Sequence, residues 1–356
     1  VAVADREAAV DRLAAEADAS LDLTDGPLLR ALLFVLGPGE RPRLFLTVHH
    51  LVVDAVSWHI LLDDLETAYR RTLAGQAPQE GPSSTPFARW ATRLERHAKE
   101  GHFDGELEYW AALPESPPLP VDGEGPAVAS SVRGVTVELD EETSRLLLRG
   151  AVRVFRTGTR EVLLAGLART LSRWTGTSRV LIDLEGHGRE DLFEDEDLSR
   201  TVGWFTSVFP VGVEVPPESG DWAELVAAVR ARVRSIPGKG LGYGVLRYLS
   251  PAGAPLATRT AAPVIFNYHG QAGDLTIAPG SPLYHAFHHT VGRDRDPAGR
   301  LDHPFEVVGM VQEGRMRLTW YYSENLHAAA TVERLAGDLL DGLRAAARHV
   351  AERLRS

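Results

Sequence analysis

Cysteine is absent from all 356 residues, and methionine occurs twice. That removes disulfides, thiolate nucleophiles and thiolate-ligated metals, and makes a reducing cytoplasm the plain expectation. Long apolar runs are missing too: none approaches the roughly eighteen residues that a membrane span needs. The opening "VAVADREAAVDRL" lacks the basic and apolar regions of a signal peptide. Positive charge is the minority sign, with 38 Lys and Arg against 49 Asp and Glu and a net charge of −11. An acidic surface speaks against a nucleic-acid partner. What is present is the mix of a globular protein, 44% hydrophobic and 24% charged. The length favours two lobes. Because the chain enters a helical pattern at once, it reads as a fragment whose start lies upstream.

Periodicity predicts a helix over Asp5–Asp18, then buried strands in "PLLRALLFVL" and "RLFLTVHHLVV" around a Gly37-Pro38-Gly39 turn. Asp54–Gly75 reads as a helix with Trp58, Leu61, Leu62, Leu65 and Tyr69 on one face, and Phe87–Leu113 as another. The Pro-, Gly- and Ser-rich "PESPPLPVDGEGPAVASS" is the clearest linker. It divides an N-terminal lobe, residues 1–125, from a C-terminal lobe, residues 126–356. In the second half, strands in "VRGVTVEL", "SRVLIDLEGHGRE", "TVGWFTSVFPVGVEV" and "APVIFNYHGQ" alternate with helices capped by Asp140 and Asp221. A hairpin turns at Glu313-Gly314, and Thr331–Leu354 is a terminal helix. The class is α/β, with mixed sheets and helices packed on them.

Three constellations carry chemistry. His49-His50 ends a strand, where a side chain is firmly held yet open to a cleft, as a general base requires. Alternation along a strand sends one imidazole in and its neighbour behind. Asp54 is near enough to accept from an imidazole or to pair with an arginine and brace the loop. Two other readings stand beside this: a buried histidine pair capping a helix, and a His-His-x-x-x-Asp metal site needing a distant third ligand. In "DLEGHGRE", Glu185 follows the buried Leu181, Ile182 and Leu184, and burial raises a carboxylate toward the acid-base range; the alternative is a charged surface loop. Trp204, Phe205, Asn267 and Tyr268 are candidates for a pocket wall, whereas Phe209 and Phe266 read as core. "PGKGLGYG" lacks the P-loop spacing and reads as a flexible loop. Three histidines within "YHAFHH" read as a solvated loop.

"HHLVVDAVSW", "EGHGRE", "RTVGWFTSVFP", "PGKGLGYGVLRYL" and "FNYHGQ", in this order, resemble the core motifs of the epimerization domains of nonribosomal peptide synthetases, in the condensation-domain superfamily. The resemblance implies two chloramphenicol-acetyltransferase-like lobes facing across a cleft, the N-terminal one truncated. It makes His50 and Glu185 the acid-base pair, with His49, Asp54, Trp58, Asn267 and Tyr268 in support. Trp204, Phe205, Gly186, Gly188 and Arg189 would bind substrate. The implied substrate is an aminoacyl or peptidyl thioester on the 4′-phosphopantetheine arm of an upstream peptidyl carrier domain, epimerized at Cα without an intrinsic cofactor or metal. Neighbouring adenylation and condensation domains are the implied partners, in antibiotic-type secondary metabolism, with no nucleic acid and no membrane. Two positions depart from the pattern: Ala55 stands where glycine is usual, and His269 where leucine is usual. An amide-forming condensation domain and a non-catalytic recruitment module are the alternatives.

Overall fold

Alternating apolar residues lay down two separate sheets. The computed structural model describes residues 5–79, 81, 84–115, 117–216, 221–271, 281–285 and 295–355. They fall into two units: unit 1 comprises Val1–Ala91, Asp191–Thr206 and Leu275–Asp296, and unit 2 comprises Thr92–Glu190, Ser207–Asp274 and Pro297–Ser356. Among the described residues no helix is long and apolar enough to cross a membrane.

Unit 1 begins with α1 (Arg6–Ala19), which buries Val10, Ala14 and Ala17. It continues through β1 (Leu29–Phe34), β2 (Arg43–Val48) and α2 (Ala55–Leu73). The two strands pair antiparallel, with Leu29, Ala31 and Leu33 opposite Val48, Leu46 and Leu44. The period of two puts these six side chains on one face. They were expected to be buried, yet no residue of either strand is: Leu29, Leu33 and Leu44 are 47%, 64% and 41% exposed. In a two-stranded sheet each strand has one neighbour, and the helix that contacts both strands here is α1. The stripe expected on α2 is likewise half-open. Its buried positions are Ser57 and Ile60, while Tyr69 is exposed.

Unit 2 holds α3 (Phe87–Lys99) from Thr92 onward, α4 (Leu107–Ala111), and a six-stranded sheet in the order β3-β8-β7-β6-β4-β5. Its strands are β3 (Val132–Glu138), β4 (Arg179–Gly186), β5 (Ser207–Glu214), β6 (Val264–Gln271), β7 (Phe305–Gln312) and β8 (Arg315–Ser323). β4 and β7 run parallel to β6, and the remaining pairs are antiparallel. The β7–β8 loop is the two-residue turn read from the sequence, with Glu313 and Gly314 at φ 51° and 77°. Helices α5 (Glu141–Arg145) and α6 (Ala151–Phe155) flank a π turn; α7 (Thr159–Thr175) and the terminal α11 (Ala329–Arg355) pack together, and each buries a long row of aliphatic side chains. Between them in sequence lie α8 (Trp222–Arg234), capped by Asp221, α9 (Leu241–Leu249) and α10 (Ala254–Ala257).

Three expectations are corrected here. The long helix over 87–113 is broken after Lys99, because Gly101 takes φ +82°, a left-handed helix stop. The glycine-dense stretch is not a flexible loop. Pro237–Gly240 is a tight turn and Leu241–Leu249 is helical, with Tyr243 buried. The lobe boundary at 125 differs from the division into units. Residues 92–113 belong to unit 2, where Trp110 packs on Tyr243 and Phe209 at ring distances of 5.2 and 6.4 Å. The Pro-rich linker is itself pinned within unit 2: Asp122 N–H donates to Leu326 O (2.9 Å) and Asn325 Nδ2 to Pro126 O (2.8 Å). Composition marked irregular backbone, not a border.

Candidate active site

Where β2 stops, the backbone changes course. His49 is extended (φ −62°, ψ 133°), and His50 opens a single 3-10 turn, His50–Val52. His49 Nδ1 accepts from Leu51 N–H at 3.2 Å, so this ring caps the turn. His50 is exposed and lies on the Trp204 indole, ring centres 4.8 Å apart and tilted by 52°. Strand alternation therefore does not separate the two histidines, since neither is in the strand; capping separates them. Ala55 is the first helical residue of α2, so its Cβ suits the helix better than glycine would.

Asp54 is the N-cap of α2 and is buried. Oδ1 accepts from Ser57 N–H and lies 2.7 Å from the Ser57 hydroxyl, while Oδ2 accepts from Phe205 N–H at 3.1 Å. Charge-assisted bonds to N–H groups are what make a buried carboxylate tolerable. Gly203 N–H donates to Ser57 Oγ at 3.1 Å. The segment Gly203–Phe205 is thus strapped to the start of α2, and Trp204, held between the two bonds, meets His50. Phe205 does not line a pocket: it is buried edge-on against Phe87 at 5.0 Å. Trp204, by contrast, is 43% exposed. Both were assigned to the C-terminal lobe by sequence, but Asp191–Thr206 belongs to unit 1. Trp58 is half-buried in the first turns of α2. His49, His50 and Asp54 do not gather as a three-ligand metal group. Ser57 was missed by sequence reading, although serine three residues after an aspartate is a legible capping pattern.

The second cluster lies wholly within unit 2. Buried from Val180 to Leu184, β4 emerges at a half-buried Glu185. Asn267 Nδ2 on neighbouring β6 donates to Glu185 Oε2. A Cβ at Gly186 would stand 2.8 Å from Ser207 Oγ, so glycine permits that close approach, and Gly188 takes φ +66°, which lets the chain turn just past Glu185. Arg189 is half-buried, and its N–H donates to His187 Nδ1 at 3.0 Å. Glu190 meets His187 Nε2 at 3.3 Å and Lys239 Nζ at 2.5 Å, tying the turn to Pro237–Gly240. This is a built loop rather than a solvated one. Further down the same face of β4, the buried Asp183 accepts from Ala262 N–H at 3.3 Å and meets Nε2 of the half-buried His303 at 2.8 Å, a pair that the sequence did not announce.

Asn267 and Tyr268 were expected to act together. Adjacent strand residues face opposite ways, and the structure separates them. Tyr268 lies against Gly309 and bonds to the Thr159 side chain at the start of α7, and burial raises its hydroxyl pKa. Of the two, it is Asn267 that reaches Glu185. His269 is exposed. Phe209 and Phe266 are core, as read. The histidine-rich stretch after Tyr284 falls largely on residues 286–294, outside the described ones.

The family model for the condensation domain matches residues 2–356. The chain belongs to the condensation-domain family. A linear gramicidin synthase from Brevibacillus parabrevis is 41% identical over 348 residues, 96% of this chain but 4% of that protein. Tyrocidine synthase 1 from the same organism is 32% identical over 94% of this chain and 31% of its own length. The chain therefore spans a small part of its curated relatives. Among solved structures, the epimerization domain from the third module of tyrocidine synthetase B superposes with a TM-score of 0.84 at 29% identity, over 97% of this chain and 77% of that one. The X-domain from teicoplanin biosynthesis shares the fold, with a TM-score of 0.73 at 22% identity. The α/β class with a mixed sheet and packed helices is that of a condensation-type domain.

Proposed function

We propose that this condensation-family domain epimerizes the Cα of an aminoacyl or peptidyl thioester carried on the phosphopantetheine arm of a carrier domain, within a nonribosomal peptide synthetase. One observation carries the reading: Glu185, at the mouth of a buried strand, is oriented by Asn267, which gives the family's histidine motif a carboxylate counterpart. The likeness to an epimerization domain at a TM-score of 0.84 supports it.

The chemistry needs little more. A thioester acidifies its Cα–H because the carbonyl takes up the electron pair when that bond breaks. One of His50 and Glu185 receives the proton, leaving an enolate. The other returns a proton to the opposite face, and the C–H bond re-forms with inverted configuration. His49 and Trp204 fix the His50 turn and ring, Asn267 fixes Glu185, and backbone N–H groups around Gly186 are the candidates to stabilise an enolate oxygen.

An L-aminoacyl carrier incubated with the domain in deuterated water tests this. Deuterium should enter at Cα, and His50→Ala or Glu185→Gln should slow uptake by roughly 10²–10⁴-fold, the usual worth of a general acid or base. Absence of uptake by the parent would overturn the reading. The family match itself favours a second reading, amide formation between two carrier-bound substrates. Dipeptide from two loaded carriers, unaffected by Glu185→Gln, would establish it instead.

A further inference from the structure

The end of α3 holds three donor side chains that the proposed reaction does not use. His97, Glu100 and His102 have ligand atoms within 4.8 Å of one another. Their spacing follows from how the helix stops. With Gly101 left-handed at φ +82°, its N–H donates to Ala98 O at 3.0 Å, and His102 N–H donates to His97 O at 3.3 Å. That pair of bonds is the Schellman stop, in which the residue after the glycine touches the one five positions earlier. An apolar contact is usual there. Here the contact is two imidazoles stacked at 4.0 Å with planes 10° apart, and His97 also meets Phe103 edge-on at 5.6 Å. Ala98 and Phe103 are buried, so the backbone between the rings is anchored.

We propose that His97, Glu100 and His102 form a binding site for a divalent transition-metal cation of the zinc type. Two imidazoles and one carboxylate suit zinc, nickel or copper and do not suit magnesium or calcium. In the stack the ring planes are nearly parallel, and each nitrogen lone pair lies in the plane of its own ring. Closing on an ion at about 2.0–2.2 Å requires His102 to tilt and Glu100 to swing. Their side chains are 52% and 54% exposed, and His102 Nε2 already stands 3.5 Å from Glu100 Oε2. The carbonyl end of a helix favours a cation. Arg93 opposes it electrostatically at His97, while Lys99 is engaged by Glu95 at 2.6 Å. Three protein ligands leave the remaining coordination positions to water, as in an open zinc site.

Zinc titration of the whole chain against a chromophoric chelator, with His102→Phe, Glu100→Ala and His50→Ala in parallel, decides it. The phenyl ring keeps the stack but removes a ligand. His102→Phe should therefore melt at the parent's temperature without metal, bind zinc at least tenfold more weakly, and lose the parent's zinc-induced rise in melting temperature. Glu100→Ala should also weaken binding, His50→Ala should not, and magnesium at the same concentration should not compete. Zinc affinity unchanged in both His102→Phe and Glu100→Ala, or abolished by His50→Ala, would overturn the site.

Discussion

In unit 1 the apolar face of β1 and β2 lies open, whereas in unit 2 five consecutive residues of β4, Val180 to Leu184, are buried. Both sheets rest on side chains that alternate or run apolar, so the sequence pattern alone would rank them alike. What differs is coverage. The hairpin has one neighbour per strand and α1 on one side, while β4 is flanked by β5 and β6 and has α7 packed against it. Periodicity decides that a strand forms. The number of covered faces decides how much free energy its side chains contribute, at roughly 25 cal/mol per Å² of apolar surface removed from water.

The largest effect should appear when one large side chain is removed from each sheet. Trp320→Ala in β8, fully buried in the parent, should cost about 3–5 kcal/mol in urea unfolding. Leu33→Ala in β1 should stay within about 0.5 kcal/mol. Equal costs would break the comparison. A smaller contrast lies in two left-handed glycines. At Gly240, φ +95°, an added Cβ would stand 2.1 Å from the Phe209 ring, whereas at Gly39, φ +83°, it would meet nothing within 4 Å. Gly39→Ala should cost about 1–2 kcal/mol from backbone strain alone. Gly240→Ala should exceed it by about 1–3 kcal/mol from overpacking. A smaller penalty at Gly240 would show that Phe209 yields freely.

The smallest contrast is in pH dependence. In unit 1, hydrogen bonds from Ser281 and then Arg70 lower the Glu66 pKa. In unit 2, burial raises the Glu106 pKa, opposed by the bond from Trp110. The signs are opposite. The Glu66 contribution is present above the ordinary glutamate range and is lost on acidification. The Glu106 contribution is present below that range and is lost as pH rises through the raised value. Glu106→Gln should therefore gain stability relative to the parent at pH 7, with the gain vanishing near pH 4, and Glu66→Gln should do the reverse. Melting curves at the two pH values read both; parallel behaviour of the two variants would refute the assignment of either group.

Much of the scaffold was legible for reasons that can be named. Val180, Leu181, Ile182 and Leu184 bury both faces of β4, interrupted by the buried Asp183, as a doubly covered strand requires. Asp140 and Asp221 cap where capping residues were read, and Glu-Gly closes a hairpin because both turn residues take positive φ. The failures have physical causes as well. The apolar run through Leu51, Val52 and Val53 hid the point where β2 ends, because a 3-10 turn of the same composition follows it. Tyr268 was grouped with Asn267 although the alternation applied to His49 and His50 forbids that pairing. Gly101 was passed over inside an amphipathic pattern, and with it went the stop that stacks His97 on His102. Of the candidate site, the residues were readable. Their partners, Trp204 for His50 and Lys239 for Glu190, were not, since each pairs residues far apart in sequence.

The chain visits the smaller unit three times, by way of Val1–Ala91, Asp191–Thr206 and Leu275–Asp296. An engineer transplanting this domain cannot lift out either half with a single pair of scissors. A splice after residue 125 would carry off Trp110 while leaving Phe209 and Tyr243 behind, and it would strand the Trp204 strap away from the histidine it steadies. Recombination is therefore best confined to the outer ends, with everything between inherited as one piece.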